Sequence, residues 1–185
     1  MRLKKIFSLL FLIITIFFLS AAAVVNAVEV TATIPVGMSF WYSVYDSGKD
    51  EIFMDNGNGE LLVLSASSNS FSTFSMGTNL AGLAFDPAKG EIFVANEKGN
   101  NVWVISETTN NVIAIIRVGN APVGVAYDSS RGEVFVTNSN DNTVSVISDV
   151  NNTVVATIAV GNAPQGLAYD LGKGDFCGQL KSGRK

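Results

Sequence analysis

Histidine is absent from this 185-residue chain, and cysteine occurs once, as Cys177 near the C-terminus. Without histidine the commonest general base and the commonest metal ligand are missing. That excludes a Ser-His-Asp hydrolase, an HExxH metalloprotease and a histidine-ligated haem or copper site. A single cysteine rules out an internal disulfide, so the fold must be held by burial and strand pairing. Nothing in the sequence activates Cys177 as a thiol nucleophile. Charge is scarce as well: 15% of residues are charged against 48% hydrophobic, with 17 glycines. This composition fits a globular, strand-rich chain with many tight turns and does not fit a disordered one. No P-loop or dinucleotide fingerprint is present, and past residue 27 no segment has capped helical periodicity.

The few charges are unevenly placed. Residues 1–27 hold Arg2, Lys4 and Lys5 and no acid, and the last five residues hold Lys181, Arg184 and Lys185. Residues 28–180 carry the other six basic residues and all 16 acidic ones, a net of about −10. Such a body repels phosphate backbones, so a nucleic-acid partner is not expected. At the N-terminus a basic stretch, an apolar run from Ile6 to about Val25 and the small-x-small triplet Val25-Asn26-Ala27 follow in order. That is the layout of a secretory signal peptide over 1–27, cut after Ala27. Left uncut, the run is long enough to anchor the chain in a membrane. In either case the remainder faces outward, giving an extracellular or cell-surface location. The triplet Asn151-Asn152-Thr153 is a compatible glycosylation acceptor.

The rest of the chain repeats. Gly119-Asn-Ala-Pro-Val-Gly-Val-Ala-Tyr-Asp128 returns 42 residues later as Gly161-Asn-Ala-Pro-Gln-Gly-Leu-Ala-Tyr-Asp170. Looser copies begin at Gly77 and, 40 residues before that, at Gly37. A second motif keeps step: Glu51-Ile-Phe-Met-Asp-Asn56, Glu91-Ile-Phe-Val-Ala-Asn96 and Glu133-Val-Phe-Val-Thr-Asn138. Each period reads as four short strands rich in Val, Ile, Thr and Phe, separated by Gly, Asn, Asp and Ser. In the third copy these are 124–127, 133–137, 143–148 and 153–160. Both faces of the strands are partly apolar, which suits a sheet sandwiched between two neighbours. Four antiparallel strands per 40–45 residues is the blade unit of a β-propeller, and one blade cannot bury its own faces.

The expected fold class is therefore all-β. Blades run over about 37–76, 77–118 and 119–160, with a partial one over 161–175, a closing strand over 28–36 and a divergent tail over 176–185. Phe-Val-Thr-Asn138, Phe-Val-Ala-Asn96, the twice-seen Asn-Ala-Pro-x-Gly-[Val/Leu]-Ala-Tyr-Asp and Thr143-Val-Ser-Val-Ile-Ser148 resemble the YVTN family of propeller repeats. Phe53, Phe93 and Phe135 stand where that family's motif has tyrosine. The resemblance spans about residues 28–175 and implies a secreted or cell-surface protein, surface-layer proteins included. After Gly174-Asp175 the pattern is lost and the tail turns basic. The ring is thus expected to be incomplete, the chain to be truncated or frame-shifted from about Phe176, and open blade faces to favour self-association.

Few residues suggest chemistry. Asp46, Asp86, Asp128 and Asp170 recur once per blade, either as a ring of carboxylates for a cation or as acceptors for turn N–H groups; the turn role is expected. Glu51, Glu91, Glu133 and Asp175 are expected to be solvated flanks of turns. Asn138-Ser-Asn-Asp-Asn142 has the oxygen-rich look of a calcium loop but lacks the ligand spacing of one, and reads as a turn. Gly57-Asn58-Gly59 reads as a hairpin turn. Trp103 falls within a third strand and is expected between blades. Trp41 and Tyr42, in the weakest repeat, are the candidates for a specific interaction, for example by stacking on a sugar. No catalytic, metal-binding or cofactor-binding residue is expected. The function read from all this is a non-enzymatic scaffold contacting surface proteins or glycans. The alternatives are a fragment of a lactonase- or dehydrogenase-like propeller enzyme, or a non-functional gene product. Membrane contact is expected only through an uncleaved N-terminus.

Overall fold

The computed structural model describes residues 33, 35, 39–56, 58–77, 79–170 and 175–180, the last six and residue 170 by backbone alone. The signal segment, nearly all of the proposed closing strand and the tail beyond residue 180 lie outside the described residues. The chain divides into two compact units, Met1–Pro35 and Val36–Lys185. Every described strand lies in the second, and no helix occurs among the described residues.

Fourteen strands form three four-stranded antiparallel sheets and a two-stranded one, each in sequence order. The first blade comprises β1 (Tyr42–Asp46), β2 (Glu51–Asp55), β3 (Glu60–Ser65) and β4 (Ser70–Ser75). The second has β5 (Leu80–Asp86), β6 (Glu91–Asn96), β7 (Asn101–Ser106) and β8 (Val112–Arg117). The third has β9 (Pro122–Asp128), β10 (Glu133–Asn138), β11 (Thr143–Ser148) and β12 (Thr153–Ala159). A fourth is represented by β13 (Pro164–Asp170) and β14 (Asp175–Leu180). Although the sequence leaves the repeat pattern at Phe176, the backbone pairs on as a second strand, Asp170↔Asp175 through Pro164↔Leu180.

The core lies between blades, as the two-sided apolar pattern requires. On β6, Ile92 and Val94 face the first blade and meet Phe53, Leu61 and Val63. Their neighbours in sequence, Phe93 and Ala95, face the third blade and meet Val125, Val134, Val136 and Ile147. One residue of β10 later the same thing happens again: Phe135 packs with Val144, Val146 and Leu167 on the following side. Alternation along a strand thus places one phenylalanine per blade in the next interface. Phe53 and Phe93 are completely buried, and Phe135 nearly so.

Turn chemistry closes each hairpin. Asp50, Asn69, Asn100, Asn110, Asn142 and Asn152 all sit at positive φ, the region short polar side chains tolerate best. Asn100 and Asn142 do a second job, accepting from Ala121 N at 3.0 Å and Ala163 N at 2.8 Å, and so pinning the start of the next blade. The fourth strands are the outer edges. All of β12 is exposed, and Ile113 and Ile115 of β8 are exposed too.

Candidate functional site

The first strands of the blades lie side by side and set the geometry of the inner surface. Gly82 of β5 lies against the backbone of β9, where a Cβ would come 2.8 Å from Val125 N and closer still to the Val123 carbonyl. Gly124 of β9 lies in the same way against the Gln165 carbonyl and Leu167 N. Each glycine exists because another backbone approaches where a side chain would stand. At these glycines β5–β6, β9–β10 and β13–β14 also lose strict register, with shifts between Leu80 and Leu83, Val136 and Asn138, and Pro164 and Gly166. A bulge at that point bends the strand toward its neighbour.

The first blade breaks this rule. Tyr42 occupies the position of Gly82 and Gly124, and β1 pairs with β2 without a shift from Tyr42↔Asp55 to Asp46↔Glu51. A phenol ring now stands where the other strands bring backbone together. A concavity of about 240 Å3 is found there, lined by Trp41, Tyr42, Asp55, Asn79, Leu80, Ala81, Glu97 and Val123. Trp41 is 76% exposed and Tyr42 39% exposed. A second hollow of about 200 Å3 continues from Tyr42 and Ser43 along Gly82, Gly124 and Gly166.

Two carboxylates complete this mouth, and both are peculiar to it. Asp55 stands where the later blades have Ala95 and Thr137, and Glu97 stands where the third has Ser139. Asp55 is fully buried. Their influence reaches Tyr42, whose hydroxyl pKa is raised by burial first and then by the charges of Asp55 and Glu97. Of these residues, sequence reading singled out the two aromatics and missed the acids. The signal for the acids was the repeat alignment itself, in which Asp55 and Glu97 depart from their counterparts just as Trp41 and Tyr42 do.

The other candidates have structural roles. Asp46, Asp86 and Asp128 are buried and accept from the N–H two residues on, at 2.7, 2.8 and 2.8 Å from Gly48, Ala88 and Ser130. They are turn acceptors. Burial pushes the Asp128 carboxyl up, but hydrogen bonds from the Ser130 hydroxyl, Tyr169 and the Ser130 and Arg131 amides outweigh it and hold the pKa down. Glu51, Glu91 and Glu133 were expected to be solvated and are instead half-buried. At Glu91 the outer turn of the next blade reaches across, Asn152 Nδ2 donating to its carboxylate at 3.4 Å.

In the 138–142 turn, Asp141 accepts from both the backbone and the side chain of Asn120 at 2.7 Å, which lowers its pKa and commits it to fixing the neighbouring loop. Trp103 packs against the core between the first and second blades. The Cys177 side chain, the Asp170 and Asp175 side chains and Gly57 lie outside the described residues.

Acidic residues also bridge the blades at the turn end. Lys89 lies 3.6 Å from Asp149 of the third blade, and Tyr127 donates to the same carboxylate at 2.9 Å. At the preceding junction Lys49 donates to the Glu107 carbonyl, while the Glu107 side chain lies against Asp46. Among the described residues no group of three or more His, Cys, Asp or Glu is placed to hold a metal ion.

No protein-family model matches the chain, and no curated protein sequence matches it. Solved structures do. Hydrazine synthase of Kuenenia stuttgartiensis superposes with a TM-score of 0.72 at 16% identity, over 87% of this chain and 46% of that one. A functionally unknown protein from Desulfotomaculum acetoxidans gives 0.68 at 18% identity, over 78% and 50%. The U3-55K structure gives 0.66 at 12%, over 78% and 52%, and the WD40 repeats of RRP9 give 0.65 at 12%. This chain therefore spans about half the length of the structures it matches. At these identities the likeness concerns the fold alone, and that fold is the stacked four-stranded blade of β-propellers.

Proposed function

We propose that this chain is an exported β-propeller scaffold, of the YVTN type that its repeats resemble, that acts by binding and not by catalysis. Its contacts are with surface proteins or glycans. The observation that carries the reading is convergence. Trp41, Tyr42, Asp55 and Glu97, four places where the first blade and its junction depart from the later repeats, line one concavity. Repeats that serve only to stack have no reason to diverge together at one spot. Exposed aromatic rings backed by acceptors are the composition of a recognition surface. Export is supported by the basic, apolar and small-residue order of residues 1–27.

The exposed valines and isoleucines of β8 and β12, on outer strand edges, support self-association as a second mode of contact. The test has two arms. Fractionation of expressing cells should find the chain outside the cytoplasm or on the surface, and a cytoplasmic pool alone would reject export. Binding of surface proteins or glycans should fall at least tenfold in Trp41→Ala; equal capture by both forms would reject this mouth as the contact.

A further inference from the structure

We infer that the open side of the first blade docks a second copy of this chain, the two related by a two-fold axis. This rests on the self-association proposed above, to which it gives a face and a symmetry, and it does not involve the mouth at Trp41 and Tyr42. In the second blade Ile92, Val94 and Ile105 are sealed against the first, and in the third Val134, Val136 and Ile147 are sealed against the second. All six are at most 1% exposed. Their counterparts in the first blade, Ile52, Met54 and Leu64, are as apolar but only half-buried. None of the three packs against a buried cluster of the described residues. The contact used at two successive junctions is thus presented a third time, unfilled by any described strand.

The strand register arranges this side in two rows across the sheet. One is Ser43-Met54-Leu62-Thr73 and the other Tyr45-Ile52-Leu64-Phe71. Leu62 is already buried, whereas Tyr45 is 53% and Phe71 45% exposed. Each row has the same chemistry read from either end: hydroxyl, aliphatic, aliphatic, hydroxyl in the first, and aromatic, aliphatic, aliphatic, aromatic in the second. A two-fold axis parallel to the strands lays each row on its own reverse as the sheets pack face to face. Ile52 then meets Leu64, and Tyr45 meets Phe71, of the other copy. A self-complementary pattern of this kind is what a two-fold contact requires, and a partner of different sequence has no need of it. No residue of either row is charged, so two acidic chains can meet here without burying an unpaired ion. The rows reach about 14 Å across four strands and lie about 7 Å apart. Covering them hides a few hundred Å2 on each copy, below the usual size of a stable interface, so the dimer is weak and reversible.

The experiment is sedimentation equilibrium of the purified chain, as processed by the expressing cell, from about 5 to about 500 μM. A monomer–dimer equilibrium is expected. It should tighten as ionic strength rises, because residues 28–180 of each copy carry about ten net negative charges. Ile52→Lys and Leu64→Glu should each weaken it at least tenfold. An equimolar mixture of the two should associate again, since the introduced charges of opposite sign then face each other between copies. Tyr45→Lys and Phe71→Glu, at positions exposed in the single chain, repeat the test where folding is not at stake, and circular dichroism checks the fold of all four. Association that survives the single variants, or that neither mixture restores, overturns the inference. If Ile115→Lys or Val155→Lys abolishes association instead, the contact lies on the outer strands β8 and β12; this face is then wrong while self-association stands. A chain that is monomeric throughout the range rejects both.

Discussion

Gly82→Ala adds one methyl group at the closest approach between two inner strands. The new Cβ would lie 2.8 Å from Val125 N and 3.2 Å from Gly124 Cα, with the Val123 carbonyl nearer still. Ordinary van der Waals contact begins near 3.4 Å, so relieving Val125 N alone would take a retreat of β9 by roughly 0.6 Å, and the Val123 carbonyl demands more. The strand is not free to do so: it is paired to β10 on its own blade, and Gly124 N is held by Thr137 Oγ1 at 2.7 Å. Forcing a methyl group into a packed site costs about 1–3 kcal/mol. For a unit of roughly 150 residues this lowers the Tm by about 2–12 °C. The assay is thermal unfolding followed by circular dichroism, with Gly48→Ala as the control. Gly48 faces only the Asp46 carboxylate and, more distantly, Glu107, and the second blade already carries Ala88 at the same place. The control should stay within about 0.5 kcal/mol of the parent. If Gly82→Ala is as stable as Gly48→Ala, the inner strands do not meet as described.

Three further outcomes follow from particular contacts. Thr137 Oγ1 accepts from Gly124 N and donates to the Gln165 carbonyl at 3.0 Å, so Thr137→Val should lose about 1–3 kcal/mol in urea unfolding, and Thr137→Ser should restore most of it. Phe93→Ala, fully buried between blades, should cost about 3–5 kcal/mol, whereas Phe71→Ala on the exposed β4 should change stability by less than about 0.5 kcal/mol. Glu107 has its pKa raised above 4.5 by burial, by its hydrogen bond to Asp46 and by the charges of Asp46 and Glu51, with Lys49 opposing. The folded state therefore holds that proton more tightly than the unfolded chain, and ionisation at neutral pH works against folding. Glu107→Gln should raise the Tm at pH 7, and the gain should vanish as pH falls to about 4, below which both states are protonated; an unchanged Tm at pH 7 would contradict the contact.

The blades were legible in the sequence because two motifs kept one period and because each strand alternated between two apolar faces. The phenylalanine of each Glu-x-Phe motif could be assigned to an interface, although not to the following blade in particular; that needed the pairing of strands in space. The recurring aspartates announced their turns. Half-burial of Glu91 was not legible, since an outer turn 61 residues away in sequence reaches it through Asn152. Asp55 and Glu97 were overlooked for a different reason. A lone acid in a strand or turn looks like a solvated charge until its counterparts, Ala95, Thr137 and Ser139, are set beside it and the fold brings the departures together.

Hydrogen exchange resolved to single strands tests the stacking of blades most directly. Strands β6 and β10 are paired on both edges and covered on both faces, so their amides should exchange slowest, followed by β7 and β11. The outer strands β4 and β12 should exchange fastest of the twelve strands in complete blades. Protection of β12 equal to that of β10, or rapid exchange throughout β6, would contradict the account.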